Sequence, residues 1–354
     1  MPLLSKHSPI GIDLADDRVQ LTQLKTTSKG LSLLAFGGWS WSQAPHGPVD
    51  HDDVPQQARL IAEVISEGKF KGRDIVVRVP DSLLRLKNVR IPPIPDEDLP
   101  AACRWEASER FQLDPEQSTI RFYDTGQVQQ AGEAKREVIL LAAPTPPLLQ
   151  LAEELDRNGL RIRSFDPTPE LLSRFQHVIE ANGITTPDEI ERPRLIVHVG
   201  PSHTWVLISE KQQVVFLRQM PFGVNDFDKP VTPDASPETD HGTYGLRVPI
   251  DREEAEAKSP LKQIDLPNEI ALCLRYHGVT FPGKRPDTAW LIAPESLAKQ
   301  LAPQIASRAS VKVMLPSEFD LRLPELYDAI GRPLASMASS IGLAMNWPGG
   351  KLAA

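Results

Sequence analysis

Apolar residues along the chain fall into two short and similar patterns far apart in sequence. Positions 9–14 form an apolar run, Ala15-Asp16-Asp17 a polar turn, and Val19, Leu21 and Leu24 alternate with polar neighbours before a second turn at 26–30 and a return at 31–36. Alternation of period two, bounded by turn residues, predicts a three-stranded meander. Positions 195–199, the turn Gly200-Pro201-Ser202-His203, the segment 204–208, the turn Lys211-Gln212-Gln213 and the segment 214–218 repeat that order. Hairpins are common enough for two to resemble each other by chance. The sharper reading is a duplicated αβ architecture.

Between the meanders, positions 74–79 alternate like a strand, and Ile91-Pro92-Pro93-Ile94-Pro95 blocks continuation of helix or sheet. Residues 96–111 predict an amphipathic helix with Asp96, Glu97 and Asp98 in its first turn, where carboxylates suit the positive end of the dipole. A strand at 138–142, a helix at 146–158 with Leu148, Leu151 and Leu155 on one face, Gly159 as a left-handed stop and a strand at 160–165 read as a βαβ unit with a right-handed crossover. A helix at 170–182 ends at Gly183, and the polar stretch 184–194 marks a boundary. Further on, 225–246 reads as a surface excursion, 250–258 as an acidic helix start, 266–277 as a core helix, 288–293 as a strand, 295–307 as a helix, and 335–345 as a closing small-residue helix. The expected division is a first half at 1–190 with an inserted subdomain near 81–145, a second half at 191–334 with an excursion near 225–247, and a C-terminal helix at 335–354 returning to the first half.

Composition narrows the functional classes. At 354 residues the chain is long enough for two domains or one divided fold with a substantial core, and 34 Pro imply many loops. A net charge of -8 argues against a dedicated nucleic-acid binder. Cys103 and Cys273 are far apart with no partner at metal-ligand spacing, so neither a disulfide framework nor a zinc cluster is expected, and the cytoplasm is the default. No run approaches the ~18 apolar residues of a membrane span, so any membrane contact comes through a partner. The sequence lacks G-x-x-x-x-G-K-[ST], G-x-G-x-x-G after a strand, H-E-x-x-H and G-x-S-x-G. The acidic run 50–53 reads as a solvated loop, and the acids around His241 fix no coordination geometry.

Five stretches taken in order carry a resemblance. They are Gly11-Ile12-Asp13-Leu14 with Val19, positions 94–111 with Arg104-Trp105-Glu106, positions 138–175 with Asp166 at the strand end, positions 197–204 with 218–223, and Glu254-Ala255-Glu256-Ala257-Lys258. Their collinear order resembles the PilM family of type IV pilus assembly proteins over nearly the whole chain. That family is related to FtsA and to the actin and sugar-kinase ATPases. The resemblance implies an α/β, actin-like (ribonuclease H-like) duplicated fold with an inserted α+β subdomain. It also implies a cytoplasmic adaptor, peripheral at the inner face of the inner membrane, that binds the tail of a PilN-like single-span membrane protein in a groove between the first subdomain and the inserted one. An extended peptide can bind such a groove by backbone pairing and side-chain pockets. Arg104 and Trp105 are the candidate partner contacts. The competing reading packs Trp105 into the core of the insert and leaves Arg104 on open surface.

The same resemblance implies a nucleotide cleft, for which the candidate residues are Gly11, Asp13, Ala15, Asp16, Asp17, Gly200, Ser202, Thr204, Gly223, Ala293 and Pro294. Turns that face phosphate need small residues for backbone approach and hydroxyls as donors. Here Ala15-Asp16-Asp17 stands where the family has Gly and then Ser or Thr, and two carboxylates repel a triphosphate unless a metal intervenes. His198 replaces the Asp of the second motif, and Pro201 removes an N–H donor, although Ser202 and Thr204 could still donate. Ala293 is followed by Pro294-Glu295 where the family has a Gly-Gly turn. The expectation is therefore a scaffold with a degenerate site, no catalytic residues and no cofactor, with His198 a packed core histidine. The alternative is an ATP-binding switch or ATPase in which Asp13, Ser202 and Thr204 organise Mg²⁺ and phosphates. A cell-division actin relative would need a longer C-terminal amphipathic anchor than 347–354 provides.

Overall fold

The computed structural model describes residues 7–27, 30–45, 47, 50, 52–130, 132–179, 192–210, 213–227, 265–281, 285–315 and 334–346. Its strands are β1 (Ile10–Leu14), β2 (Arg18–Thr27), β3 (Gly30–Ser40), β4 (Asp74–Arg78), β5 (Arg85–Ile91), β6 (Ser118–Gln130), β7 (Glu133–Pro144), β8 (Arg161–Asp166), β9 (Arg194–Val199), β10 (Thr204–Glu210), β11 (Gln213–Met220), β12 (Thr288–Ile292) and β13 (Lys312–Met314). Its α-helices are α1 (Val54–Glu67), α2 (Leu99–Phe111), α3 (Thr145–Arg157), α4 (Thr168–Ile179), α5 (Val224–Phe227), α6 (Leu266–Thr280), α7 (Glu295–Ala309) and α8 (Ala338–Ala344).

Both meanders exist, and each opens a five-stranded sheet of the same topology. The orders are β3-β2-β1-β4-β8 and β11-β10-β9-β12-β13. In the first, β1 is antiparallel to β2, with Asp13 opposite Gln20, and parallel to β4, with Ile12 opposite Val77. In the second, β9 is antiparallel to β10, with His198 opposite Trp205, and parallel to β12, with Ile292 opposite His198. This repeated topology is the duplicated α/β fold, and a third sheet, β5-β7-β6, belongs to an α+β insert.

The layers follow from which faces are apolar. Helices α1 and α3 cover the outer face of the first sheet through Ile61, Ile65, Leu151 and Leu155. Helices α6 and α7 cover the second through Ile270, Leu274, Leu301 and Ile305. Between the sheets, α4 and α8 supply Leu171, Phe175, Ile341 and Leu343 to a core that also holds Val76 of one half and Trp205 of the other. One shared core therefore spans both halves. The insert has a core of its own, where Leu99, Cys103 and Ala107 of α2 meet Val89, Val138 and Leu140. It is tied to the second half by Glu137, which takes Arg90 Nε at 2.6 Å and the Tyr276 hydroxyl at 3.0 Å.

Two sequence expectations are corrected. The segment 138–165 is not a βαβ unit in one sheet, because β7 finds both neighbours inside the insert, with Val138 opposite Val89 and Ile139 opposite Tyr123. Strand β8 instead pairs with β4 of the first sheet. Helix α2 starts at Leu99, so Asp96, Glu97 and Asp98 form the turn before it. A helix begun at Asp96 would need a Pro100 N–H to bond the Asp96 carbonyl, and proline has none. Asp53, read as part of a solvated loop, caps α1 by accepting from Gln56 N at 3.0 Å. Gly159 ends α3 with φ +78°, as expected. The expectations for 228–264, including the acids near His241 and the stretch Glu254 to Lys258, lie outside the described residues, as do Gly183, most of the 184–194 boundary and 347–354.

Candidate functional site

The two meander turns face each other across a cleft. In the first, Ala15 N donates to Arg18 O at 2.9 Å, which closes a two-residue turn at Asp16-Asp17. Buried Trp41 holds that turn, its Nε1 donating to Ala15 O at 2.9 Å and its backbone N to Asp17 O at 3.1 Å. In the second, Gly200 N donates to His203 O at 2.9 Å. The carbonyls of Gly200 and Pro201 accept from Val224 N at 2.8 Å and Asn225 N at 3.0 Å. Gly223 permits this approach, since a Cβ there would lie 2.3 Å from Gly200 O and 2.4 Å from Pro201 O.

Both hydroxyls that could face a phosphate have partners inside the protein. Ser202 Oγ donates to Asp16 of the opposite turn, which joins the two hairpins directly. Thr204 Oγ1 donates to Phe222 O at 2.9 Å and is fully buried.

Beside this contact the cleft holds about 260 Å³, lined from the first half by Asp17, Arg18 and Gln20 and from the second by residues including His198, Gly200 and Pro294. Four buried polar atoms on this lining lack a partner: Asp17 Oδ1, Arg18 Nε, Gln20 Oε1 and His198 Nδ1. Burial, reinforced by the Arg78 charge, lowers the His198 pKa to about 4, so the ring is neutral at pH 7. At the rim Pro294 precedes α7, whose Glu295 pairs with Lys299 at 2.5 Å. The charges on the lining are therefore paired or suppressed.

The His198 shift has a measurable consequence. Its folded-state pKa lies below the unfolded value near 6.5, so the unfolded chain binds the extra proton and stability falls as pH drops from about 6.5 toward 4. Between pH 7.5 and 5 this group accounts for about 2 kcal/mol. Urea titrations at the two pH values should show that slope in the wild type and its loss in His198→Gln.

Behind the cleft lies a buried charge cluster. Arg78, at the end of β4, donates hydrogen bonds through both Nη atoms and pairs in charge with Asp13, although Nε and Asp13 Oδ1 are not aligned for a hydrogen bond. Its Nε lies 2.7 Å from Asp13 Oδ1, its Nη1 3.2 Å from Asp81 Oδ2, and its Nη2 donates to Leu14 O at 2.8 Å. Burial alone would lower the pKa of Arg78, but Asp13 and Asp81 outweigh it and raise it above the ordinary value. Asp81 also accepts from Thr168 Oγ1 at 2.6 Å and from Trp205 Nε1 at 3.2 Å, and its backbone carbonyl from Gln219 Nε2 at 3.3 Å. Trp205 and Gln219 belong to the second half, so Asp81 bridges the halves.

The structure thus brings together Asp16, Asp17, Gly200, Ser202, Ala293 and Pro294 around the cleft, with Ala15, Thr204 and Gly223 shaping its turns. Asp13 lies deeper, in the pair with Arg78. Gly11 lies against α8, where an added Cβ would be 2.3 Å from Ser340 O. Arg104 is exposed on α2. Trp105 is 63% exposed, two residues beyond buried Cys103 and so on the opposite side of the helix, which corrects the reading that packs it into the core of the insert. Sequence reasoning missed Arg78, Asp81, Gln20 and Trp205. An arginine directly after Ile75-Val76-Val77, at the end of a strand too apolar to face water, was the available signal.

No family model matches the sequence, and no curated protein matches it either. Among solved structures, a PilM-PilN type IV pilus biogenesis complex matches with a TM-score of 0.66 at 16% identity, covering 96% of this chain and 98% of the other. The cytoplasmic domain of EpsL, an inner-membrane component of the Vibrio cholerae type II secretion system, matches at 14% identity with a TM-score of 0.40, covering 80% of this chain and 82% of that one. EutJ, an ethanolamine utilization protein of Carboxydothermus hydrogenoformans, matches at 11% identity with a TM-score of 0.44, covering 98% and 91%. Among the described residues no helix is long and apolar enough to cross a membrane. The chain has an actin-like fold, and over nearly its whole length that fold is similar to the one in the PilM-PilN complex.

Proposed function

We propose that this protein is an actin-like scaffold of a type IV pilus or related secretion or competence platform, held at the inner face of the membrane by docking on the cytoplasmic tail of a PilN-like single-span protein. The observation that carries the reading is the fold match to a PilM-PilN complex across 96% of the chain. The exposed Trp105 on α2, beside Arg104, supports a role for the insert in holding the tail.

The cleft supports a site without nucleotide turnover. Ser202 and Thr204 are engaged within the protein, Asp16 and Asp17 present carboxylates where phosphate would lie, and Asp13 is paired with Arg78 while burial pushes its carboxyl above the usual range. These residues do not fit a metal-bound triphosphate. One observation favours the second reading, an ATP-binding switch: an open volume of about 260 Å³ persists between the turns and Pro294.

The docking role is tested by fluorescence anisotropy with a labelled N-terminal cytoplasmic peptide of a PilN-like single-span protein. Saturable binding is expected. Trp105→Ala should weaken it ~10-fold or more while changing folding stability by less than about 0.5 kcal/mol. Unchanged affinity in the folded variant would remove Trp105 from the interface, and absence of binding by the wild type would overturn the scaffold reading.

A further inference from the structure

We infer that Arg78 is a built-in cation that occupies the charge position a divalent metal would otherwise take between the two halves, so that side chains alone hold the halves together behind the cleft. This rests on the reading of the cleft as a site that no longer turns over nucleotide, and it adds what replaces the ligand.

Asp13, Asp16, Asp17 and Asp81 all lie close enough to Arg78 to act on it electrostatically. Asp13 and Asp81 are buried behind the cleft, whereas Asp16 is exposed and Asp17 half-buried at the turn, and two buried carboxylates this close demand positive charge between them. The protein supplies Arg78 at the centre and Arg18 at the edge, where Arg18 pairs with Asp17 at 3.0 Å. The guanidinium donates hydrogen bonds to Asp81 through Nη1 and to the Leu14 carbonyl through Nη2, and its Nε lies 2.7 Å from Asp13 Oδ1 as an ion pair without hydrogen-bond alignment. A metal ion entering between Asp13 and Asp81 would have to displace it.

Asp81 bonds Arg78 and Thr168 of the first half and Trp205 of the second through its carboxylate, and Gln219 of the second through its carbonyl. Ser202 to Asp16 adds a further bond across the cleft. Arg78 fixes Asp81 in this arrangement. In a two-lobed fold whose lobes can hinge about a ligand, interactions of this kind replace the ligand as the source of closure.

The test is thermal unfolding of the full chain with and without millimolar Mg²⁺, in the absence of nucleotide. The wild-type midpoint should be unmoved by Mg²⁺. Arg78→Ala should lower it by roughly 5–10 °C, because two buried carboxylates lose their counter-charge. Mg²⁺ should then recover a third or more of that loss by binding the folded state at the vacated position. Arg78→Lys keeps a cation but not the fork, and should show a smaller loss with no Mg²⁺ response. If Arg78→Ala does not fold, Arg78→Gln carries the same comparison with most of the side-chain volume retained. A Mg²⁺-induced rise in the wild type, a Mg²⁺ response in Arg78→Lys, or none in the neutral variants would each overturn the inference. Tail-peptide binding is read separately, so loss of docking with the predicted Mg²⁺ pattern would count against the scaffold reading and not against Arg78.

Discussion

Gly342→Ala is expected to destabilise the protein by more than about 3 kcal/mol. Gly342 lies in the middle of α8, and an ordinary exposed helical glycine gains up to about 1 kcal/mol when replaced by alanine. Here the added Cβ would sit 2.0 Å from the carbonyl oxygen of Leu171 in α4, and neither backbone can move without the other. Helix α8 is wedged on its other side against β1, where Gly11 leaves room for Ser340 O. Thr22 and Ser340 hydroxyls meet at 2.8 Å along the same seam. Every residue of α8 is buried, so a shift of the helix opens the core shared by both halves. Urea denaturation of the variant checks the sign. Stabilisation, as propensity alone predicts, would show that α8 does not sit at this distance from α4.

Asp81→Ala is expected to cost about 3–5 kcal/mol, the range for removing one partner of a buried ion pair. The change strips one carboxylate from Arg78 and leaves Thr168 Oγ1 and Trp205 Nε1 without their acceptor in a site that excludes water. Asp81→Asn should cost less, because its carbonyl oxygen still accepts one of these bonds. Trp205 is fully buried, and its fluorescence should shift to the red in Asp81→Ala as the contact between halves loosens. Equal stability of the alanine variant and wild type would mean that the halves are held by apolar packing alone.

Much of this fold could be read from alternation and stop signals. Both meanders, the helix ended by Gly159, the core helix within α6 and the strand-helix pair of β12 and α7 all carry strong local patterns, and all appear close to their expected bounds. The insert was harder. Strand β6 alternates poorly because a register shift between Asp124 and Gly126 breaks the period of two, and β5 carries Arg85 and Lys87 on the same face as buried Val89 and Ile91, with Arg90 on the other. Which sheet β7 joins is decided by pairing with distant segments, which no window around residue 138 contains. Helix α1 was missed because its start is a single Asp53 cap followed by Pro55, a signal that reads equally as a loop.

The site shows the same division. The resemblance implied a cleft between the halves, and the two meander turns do meet across one. That Ser202 meets Asp16 across the cleft depends on the two halves closing on one another. Arg78 and Asp81 lie outside every recognisable motif. Their role comes from the parallel register of β4 beside β1, which sets a guanidinium against Asp13. Trp105 illustrates the opposite error, since a tryptophan in an apolar-spaced helix reads as core until the helix is seen to bury Leu99, Cys103 and Ala107 instead.

The central claim is that this actin-like protein works by docking, with its two halves joined at the cleft by its own side chains. Calorimetric titration of the purified protein with ATP and Mg²⁺ tests it most directly. The account predicts no saturable heat at millimolar ligand. A saturable isotherm with a stoichiometry near one would contradict it, and would make the nucleotide-switch reading the better description of the cleft.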